Sequence, residues 1–263
     1  MKRRIDLVLV ERGFAESRHK AQALLLAGQV LVQEQKVEKP GQLIDPDAEI
    51  RILRQLPFAS RAGGKLQAAL DHFKIPVEGK TCADLGASTG GFTDCLLQNG
   101  ACRVYAFDVG KGQLVWRLQS DPRVVVRDEF NVRNLSAADL SSDIRIVSMD
   151  LAFISVTKVL PALKAALVPE KDDACSNREC QEFLIDVIVL VKPQFEVGKG
   201  EVGKGGIVRD RAKRLQALEG VEAFASRCGF RVLGSIPSPV PGAEGNEEFL
   251  LHLQLVKGLL SLS

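Results

Sequence analysis

Lys65, Asp150, Lys192 and Glu248 are the residues best suited to proton chemistry, because of where they interrupt the apolar pattern. Asp150 closes an apolar run in Ser148-Met149-Asp150-Leu151-Ala152-Phe153, and Lys192 closes another in Val189-Leu190-Val191-Lys192-Pro193. The carboxyl ends of strands are where α/β sheets put ligands. A lysine ending an otherwise apolar strand is costly unless a partner or a task holds it there; snorkelling to water is the plainer account. Lys65 opens a helical pattern over 65–73, where a cation opposes the helix dipole and stabilises nothing locally. Glu248 begins a late apolar stretch, and Glu247 is its one-residue-shifted rival on the opposite face. Two amines and two carboxylates at one sheet edge could orient a weakly acidic hydroxyl and remove its proton.

A cofactor turn is written in Asp84-Leu85-Gly86-Ala87-Ser88-Thr89-Gly90-Gly91-Phe92. An apolar run breaks into small residues and then opens a helix, which brings backbone amides and a helix N-terminus against a nucleoside. The dinucleotide fingerprint would need glycine where Ser88 stands. An acid two residues before the first glycine suits the cationic amino-acid end of S-adenosylmethionine better than a pyrophosphate. A nucleotide-fold turn without catalysis is the competing reading. Asp108 ends the next strand, where an acid holds ribose hydroxyls; capping the following turn is its plainer role. Asn131 follows the third strand and could reach the adenine or a neighbouring backbone. Gly198-Lys199-Gly200-Glu201-Val202-Gly203-Lys204-Gly205 imitates a phosphate loop, but Gly205 stands where magnesium needs Ser or Thr. A basic loop closing over RNA or cofactor fits it better.

The elements that must position these groups alternate. Apolar, β-branched runs at 81–85, 103–107, 124–126, 144–149 and 185–191 read as strands, with helical patterns at 92–98, 154–167 and 209–227. This predicts a parallel sheet covered on both faces. Two last strands, 231–236 and 248–256, are joined by a segment too short for a crossover helix, so as neighbours they pair antiparallel. The polar stretch 170–181 reads as an inserted surface loop. The expected fold is α/β: a Rossmann-like methyltransferase sheet, mostly parallel with one antiparallel strand, preceded by a small α+β domain.

That small domain covers residues 1–54, with a linker over 55–64 and the large domain over 65–263. Ile5 to Val10 begin a short helix that Gly13 can end, and Ser17 is placed to cap a second helix to Ala27, ended by Gly28. Val30-Leu31-Val32 then alternates into a turn at Glu34-Gln35-Lys36, and a strand follows near Ile50. Residues 1–65 carry 12 Lys and Arg against 8 Asp and Glu, a net of +4 that leaves −2 for the rest.

The chain's 263 residues are 46% hydrophobic and 26% charged, as in ordinary globular proteins. No apolar run approaches the roughly 18 residues that span a bilayer. Met1-Lys2-Arg3-Arg4 resembles a signal start, but Asp6 and Glu11 break the short apolar stretch next to it, so export is not expected and a cytoplasmic location is. The six cysteines form no Cys-x-x-Cys pair, which favours buried thiols in a reducing compartment. The three histidines lie in separate elements, so no zinc site is expected.

Arg4-Ile5-Asp6, Gly13, Ser17-Arg18, Ala21, Gly28-x-Val30-x-Val32 and Lys39-Pro40 together resemble the S-four-type RNA-binding domain. The resemblance implies phosphate contacts from Lys2, Arg4, Arg18, Lys20 and Lys39; solvated cations without a ligand are the alternative. Asp84 to Thr93, Asp108-Val109-Gly110-Lys111-Gly112, Asp150 to Ser155, the Lys-Pro-Gln-Phe-Glu-Val-Gly-Lys-Gly run from Lys192, and Pro241 to Phe249 resemble the TlyA family, also called hemolysin A. That family implies an S-adenosylmethionine-dependent rRNA ribose 2′-O-methyltransferase acting on cytidine, with an FtsJ-like catalytic half. The family's Lys-Asp-Lys-Glu tetrad falls on Lys65, Asp150, Lys192 and Glu248. Its cofactor contacts fall on Asp84, Gly86, Ser88, Thr89, Gly90, Gly91, Phe92, Asp108, Asn131 and Asp150. Ser60-Arg61-Ala62-Gly63-Gly64-Lys65 departs from the family's usual wording, as does the 170–181 insertion. The short tail resembles family members whose target is large-subunit RNA, so ribosomal RNA or a ribosomal subunit is the implied partner. A non-catalytic RNA-binding or ribosome-assembly factor and a pore-forming hemolysin are the rival readings.

Overall fold

A computed structural model describes residues 2–26, 28–52, 57–168, 183–198, 202–203, 205–242 and 245–257. The insertion with Cys175 and Cys180, Lys199, Gly200, Glu201 and Lys204 of the glycine-rich run, Gln55 and Leu56 of the linker, and Ala27 lie outside the described residues. The chain divides into two compact units, Met1–Leu56 and Pro57–Ser263.

The first unit runs β1 (Arg3–Arg4), α1 (Ile5–Glu11), α2 (Arg18–Leu26), β2 (Val30–Val32), β3 (Gln35–Lys36), β4 (Leu43–Ile44) and β5 (Ile50–Ile52). Ile5, Val8 and Leu9 recur at helical spacing, and they pack with Ala21, Leu25, Val30 and Ile50 into one core. Each such side chain taken from water contributes on the order of 2 kcal/mol. The Ser17 hydroxyl accepts from Lys20 N at 3.3 Å and so caps α2. The hairpin turns at Gln33 and Glu34, both with positive φ, one residue earlier than the sequence suggests. Two adjacent left-handed residues match the twist of a tight hairpin.

The second unit runs α3 (Ala62–Phe73), β6 (Thr81–Leu85), α4 (Gly91–Gln98), β7 (Arg103–Phe107), α5 (Trp116–Gln119), β8 (Val124–Arg127), β9 (Ile144–Met149), α6 (Leu160–Leu167), β10 (Phe183–Val191), α7 (Pro193–Glu196), α8 (Arg211–Arg227), β11 (Arg231–Pro237) and β12 (Phe249–Lys257). Its seven-stranded sheet has the order β11-β12-β10-β9-β6-β7-β8. Strands β10, β9, β6, β7 and β8 are parallel neighbours. Only β12 opposes its neighbours β10 and β11. The chain steps outward from β6 to β7 and β8, then returns to place β9 on the other side of β6. That reversal opens a crevice at the carboxyl ends of β6 and β9. Every residue of β6 is buried, so its continuous apolar run has two covered faces.

Two elements differ from expectation. Helix α3 starts at Ala62, so Lys65 is its fourth residue and the dipole argument at the first turn loses most of its force. The 154–167 pattern is split into a short 3₁₀ turn, Val156–Lys158, and α6. There the Ser155 hydroxyl accepts from Thr157 N at 3.2 Å, and Pro161 favours a fresh helix start. Among the described cysteines, Cys82 and Cys95 are buried and Cys228 is half-buried, whereas Cys102 is exposed beside the start of β7. Burial pushes the Cys82 thiol up to about 12, an inert setting.

Candidate active site

The turn after β6 is built by close backbone approach. Gly86 and Ala87 both donate to the Phe107 carbonyl at 2.9 Å. A Cβ on Gly86, which has φ +88°, would sit 2.3 Å from the Asp150 carbonyl oxygen, so no side chain fits between β6 and the β9 loop. A Cβ on Gly91 would meet the Ser60 hydroxyl at 2.2 Å, so the start of α4 is seated directly on the segment that leads into α3 and Lys65.

A cavity of about 500 Å³ opens at this crevice, lined by Gly86, Ser88, Asp108, Phe130, Asn131 and Asp150 among others. Asp108 accepts from Ser88 N at 2.8 Å with one oxygen and from Gly110 N at 2.7 Å with the other. It therefore ties the glycine turn to its own loop while facing the cavity. Asn131 accepts from Arg133 N at 3.1 Å and caps the turn below.

The remaining turn residues face elsewhere. Asp84 has no solvent exposure; it accepts from the Thr93 hydroxyl at 2.6 Å and the Ser148 hydroxyl at 3.0 Å, pinning β6 to α4 and β9. Burial pushes its carboxyl up to about 7, with the charge of Asp150 adding to the effect and the two hydroxyls opposing it. Phe92 is 2% exposed and belongs to the core against α3 and α4, because the helix turns its first aromatic inward. A Cβ on Gly90 would meet Leu118 and Leu114, and Gly91 packs on Ser60, so both face protein. Thr89 is exposed, and its carbonyl accepts from Val115 N at 3.3 Å. None of these five lines the cavity.

The four candidate proton-handling residues form two ion pairs. Lys192 Nζ lies 2.6 Å from Asp150 Oδ1, an ion pair off the angle of a hydrogen bond. Lys65 pairs with Glu248 in the interior, at 7% and 3% exposure. Gly242 lies directly against the Glu248 carboxylate, so the loop before β12 covers it. Glu247 turns outward and pairs with Arg214 at 2.9 Å, which resolves the register between the two glutamates.

Two residues near this edge lie within the runs that carry the family resemblance but were given no role from the sequence. Glu196 accepts from the Ser155 hydroxyl at 2.6 Å and from Val156 N at 2.8 Å, and burial raises its pKa against those two bonds. Phe153 lines the cavity at φ +63°, 92% exposed, with its ring 5.4 Å from that of Phe195. Such a backbone conformation in a bulky residue is strained and clusters at functional sites, and Ser88 on the same cavity shares it at φ +47°.

In the first unit, Lys2 and Lys39 are exposed. Lys20 pairs with Glu16 at the surface. Arg4 and Arg18 are half-exposed, and both reach the fully covered Asp6. Arg4 holds it with two bonds of 3.0 Å, Arg18 at 2.9 Å, and Gln22 at 3.1 Å. The Arg4 guanidinium in particular holds the Asp6 carboxyl well below the usual carboxylate range. Asp6 stands in the motif quoted from the sequence, but its role as the anchor of both arginines was not read there.

A parallel sheet with a single reversed strand, a glycine turn at its switch point and an acid-lined cavity define an S-adenosylmethionine-dependent methyltransferase. Residues 58–255 match the FtsJ-like methyltransferase family, and residues 3–50 match the S4 domain. The chain belongs to the TlyA, or hemolysin A, family of rRNA methyltransferases. It is 41% identical over 253 residues to the 16S/23S rRNA (cytidine-2′-O)-methyltransferase TlyA of Mycobacterium tuberculosis, covering 95% of this chain and 89% of that one. It is 40% identical to Hemolysin A of Brachyspira hyodysenteriae, covering 95% and 98%. Among solved structures, a hemolysin candidate of Streptococcus thermophilus is 40% identical with a TM-score of 0.70, covering 96% of this chain and 88% of that chain. Among the described residues no helix is long and apolar enough to cross a membrane.

Proposed function

We propose that this protein methylates the 2′-hydroxyl of a cytidine in ribosomal RNA, with large-subunit RNA as its target. The observation that carries the reading is the Lys192–Asp150 pair at 2.6 Å, placed where the cavity of Gly86, Asp108 and Asp150 opens. The cavity fits S-adenosylmethionine: its volume is that of a small-molecule site, Gly86 leaves the backbone bare, and Asp108 and Asp150 offer negative charge. When bound, the cofactor supplies an activated methyl group on a cationic sulfur.

The protein must then align the sugar oxygen and take one proton from it. Lys192 is assigned to receive that proton, and Asp150, 2.6 Å away, holds the amine in place and stabilises the ammonium that results. Lys65, held by Glu248, fixes the approach of the hydroxyl from the other side. Of the turn residues, Gly86, Ser88, Asp108, Asn131 and Asp150 hold the cofactor, and Asp84 supports them from beneath. Lys2, Arg4, Arg18, Lys20 and Lys39 contact RNA phosphates. The domains divide the work as RNA binding over 1–54 and catalysis over 65–263; of the expected 55–64 linker, residues 57–64 belong to the second unit, with Phe58 in its core and α3 begun at Ala62. Large-subunit RNA is favoured because 23S appears in the names of both the Mycobacterium relative and a 29% identical Campylobacter jejuni one.

The test is methyl transfer from labelled cofactor to each purified ribosomal subunit and to bare rRNA, followed by digestion and mass spectrometry. Label on a cytidine ribose of 23S RNA is expected. Label on a base, or none in any substrate, refutes the reading; label confined to 16S RNA refutes the subunit assignment.

A further inference from the structure

We propose that Glu196 is a positioning residue for methyl transfer, latching the loop after β9 to the loop after β10 so that Asp150 and Lys192 stay in contact. This rests on the reading of those two as the working pair.

The need for a latch comes from the strands. β9 and β10 are parallel neighbours, and their ladder ends at Met149 opposite Val189. Asp150 and Lys192 both lie beyond that ladder. On one side, Asp150 N donates to the Leu85 carbonyl at 3.0 Å, which fixes its backbone to β6 and not to β10. On the other, Lys192 leads into the single turn α7, where Phe195 N donates to the Lys192 carbonyl at 2.9 Å. Glu196 ends that turn, so its place and that of Lys192 are rigidly related.

From there the Glu196 carboxylate spans the gap. It accepts the Ser155 hydroxyl with one oxygen and Val156 N with the other, at 2.6 and 2.8 Å. Two bonds from one planar group set orientation as well as distance. The same two loops meet a second time where the Phe153 and Phe195 rings pack. Glu196 itself is absent from the lining of the cofactor cavity, and the turn that it ends starts from Lys192.

The experiment measures single-turnover methylation of ribosomal subunits by the full-length protein, with cofactor KM, S-adenosylhomocysteine affinity and thermal midpoint recorded for each variant. Glu196→Ala is expected to lower the rate about 30-fold, as misplacement by an ångström does, while cofactor KM stays within about 3-fold. Glu196→Gln is expected to restore the rate to within about 5-fold, because its carbonyl accepts from Val156 N and Ser155 can accept from its amide. Ser155→Ala keeps the carboxylate and gives an intermediate loss, which covers the case in which Glu196→Ala does not fold. In a Lys192→Ala background, Glu196→Ala should cost no more than about 2-fold, since the group it places is gone. Full activity in Glu196→Ala, or equal losses in both backgrounds, overturns the latch alone. Full activity in Lys192→Ala overturns the assignment of Lys192 and the latch with it.

Discussion

Asp6 and Asp84 are both shielded completely from solvent, one in each unit, yet their carboxyls move in opposite directions. Asp84 lies deep under the glycine turn with the Thr93 and Ser148 hydroxyls and the Thr93 amide as partners and no cation, so burial dominates and raises it to about 7. Asp6 lies under a thin cover made by its own partners, and the Arg4, Arg18 and Gln22 groups that hide it also hold its charge. Loss of water raises a carboxyl only when no cation replaces the water. The difference shows how each unit uses charge. The first keeps half-exposed cations whose free edges can meet phosphate; the second buries its Lys65–Glu248 pair and sets Asp150, paired with Lys192, on the wall of a cavity.

The contrast can be broken or sharpened in four ways. The largest effect is expected from Lys192→Met, which removes the base: methylation falls about 1,000-fold in kcat while S-adenosylhomocysteine binding by calorimetry is retained. A variant at normal speed would dissolve the distinction between pairs that act and pairs that hold.

Asp84→Asn comes next, and it is read in stability. Because the folded value of about 7 lies above the ordinary 3.8, Asp84 contributes most below pH 4, and that contribution is lost as pH rises through about 7. The amide carries no charge to desolvate, so the variant should flatten this slope and gain a few kcal/mol at pH 8, by denaturant unfolding across pH 4–8. An unchanged slope would mean that Asp84 is charged in the folded protein.

Asp6 has the opposite sign. Its folded pKa is depressed, so its contribution is present above the ordinary carboxylate range and is lost as pH falls below about 4. Asp6→Asn should speed amide exchange in α1 and α2 about 10-fold at pH 7 and remove their acid-triggered loosening. Exchange equal to the parent's at both pH values would show that the arginines need no anchor.

The smallest effect is assigned to Lys20→Ala. Its pair with Glu16 is exposed on both sides, so stability should not move. RNA affinity should drop about 3-fold, and the logarithmic salt dependence should lose roughly one ion, by titration at several salt concentrations. Unaltered affinity would make Lys20 a solvated cation only.

How far the primary structure could be read depended on the range of the forces involved. Alternating apolar runs and the short segment between 237 and 248 were enough to predict the reversed strand, because chain length alone forbids a crossover there. The pairing of Asp150 with Lys192 was legible through neighbouring strand ends. The contacts of Asp84 and Phe92 were not legible, because a motif's adjacency in sequence does not reveal its inward face: Asp84 turns to Thr93 and Ser148, and Phe92 turns to the core. Glu196 stood within a run that resembles the family, but its partners were not legible, because Ser155 and Val156 lie some forty positions earlier.

The order of residues by itself determined two units, an α/β sheet with a glycine turn, and which strand ends carry lysine or acid, since periodicity and turn chemistry act over a few residues. Only the folded chain decided that Glu248 and not Glu247 meets Lys65, that Asp6 gathers two arginines, and that Asp84 is tied to Thr93 and Ser148. Those outcomes depend on burial and on partners brought together from distant segments, and packing in three dimensions sets both.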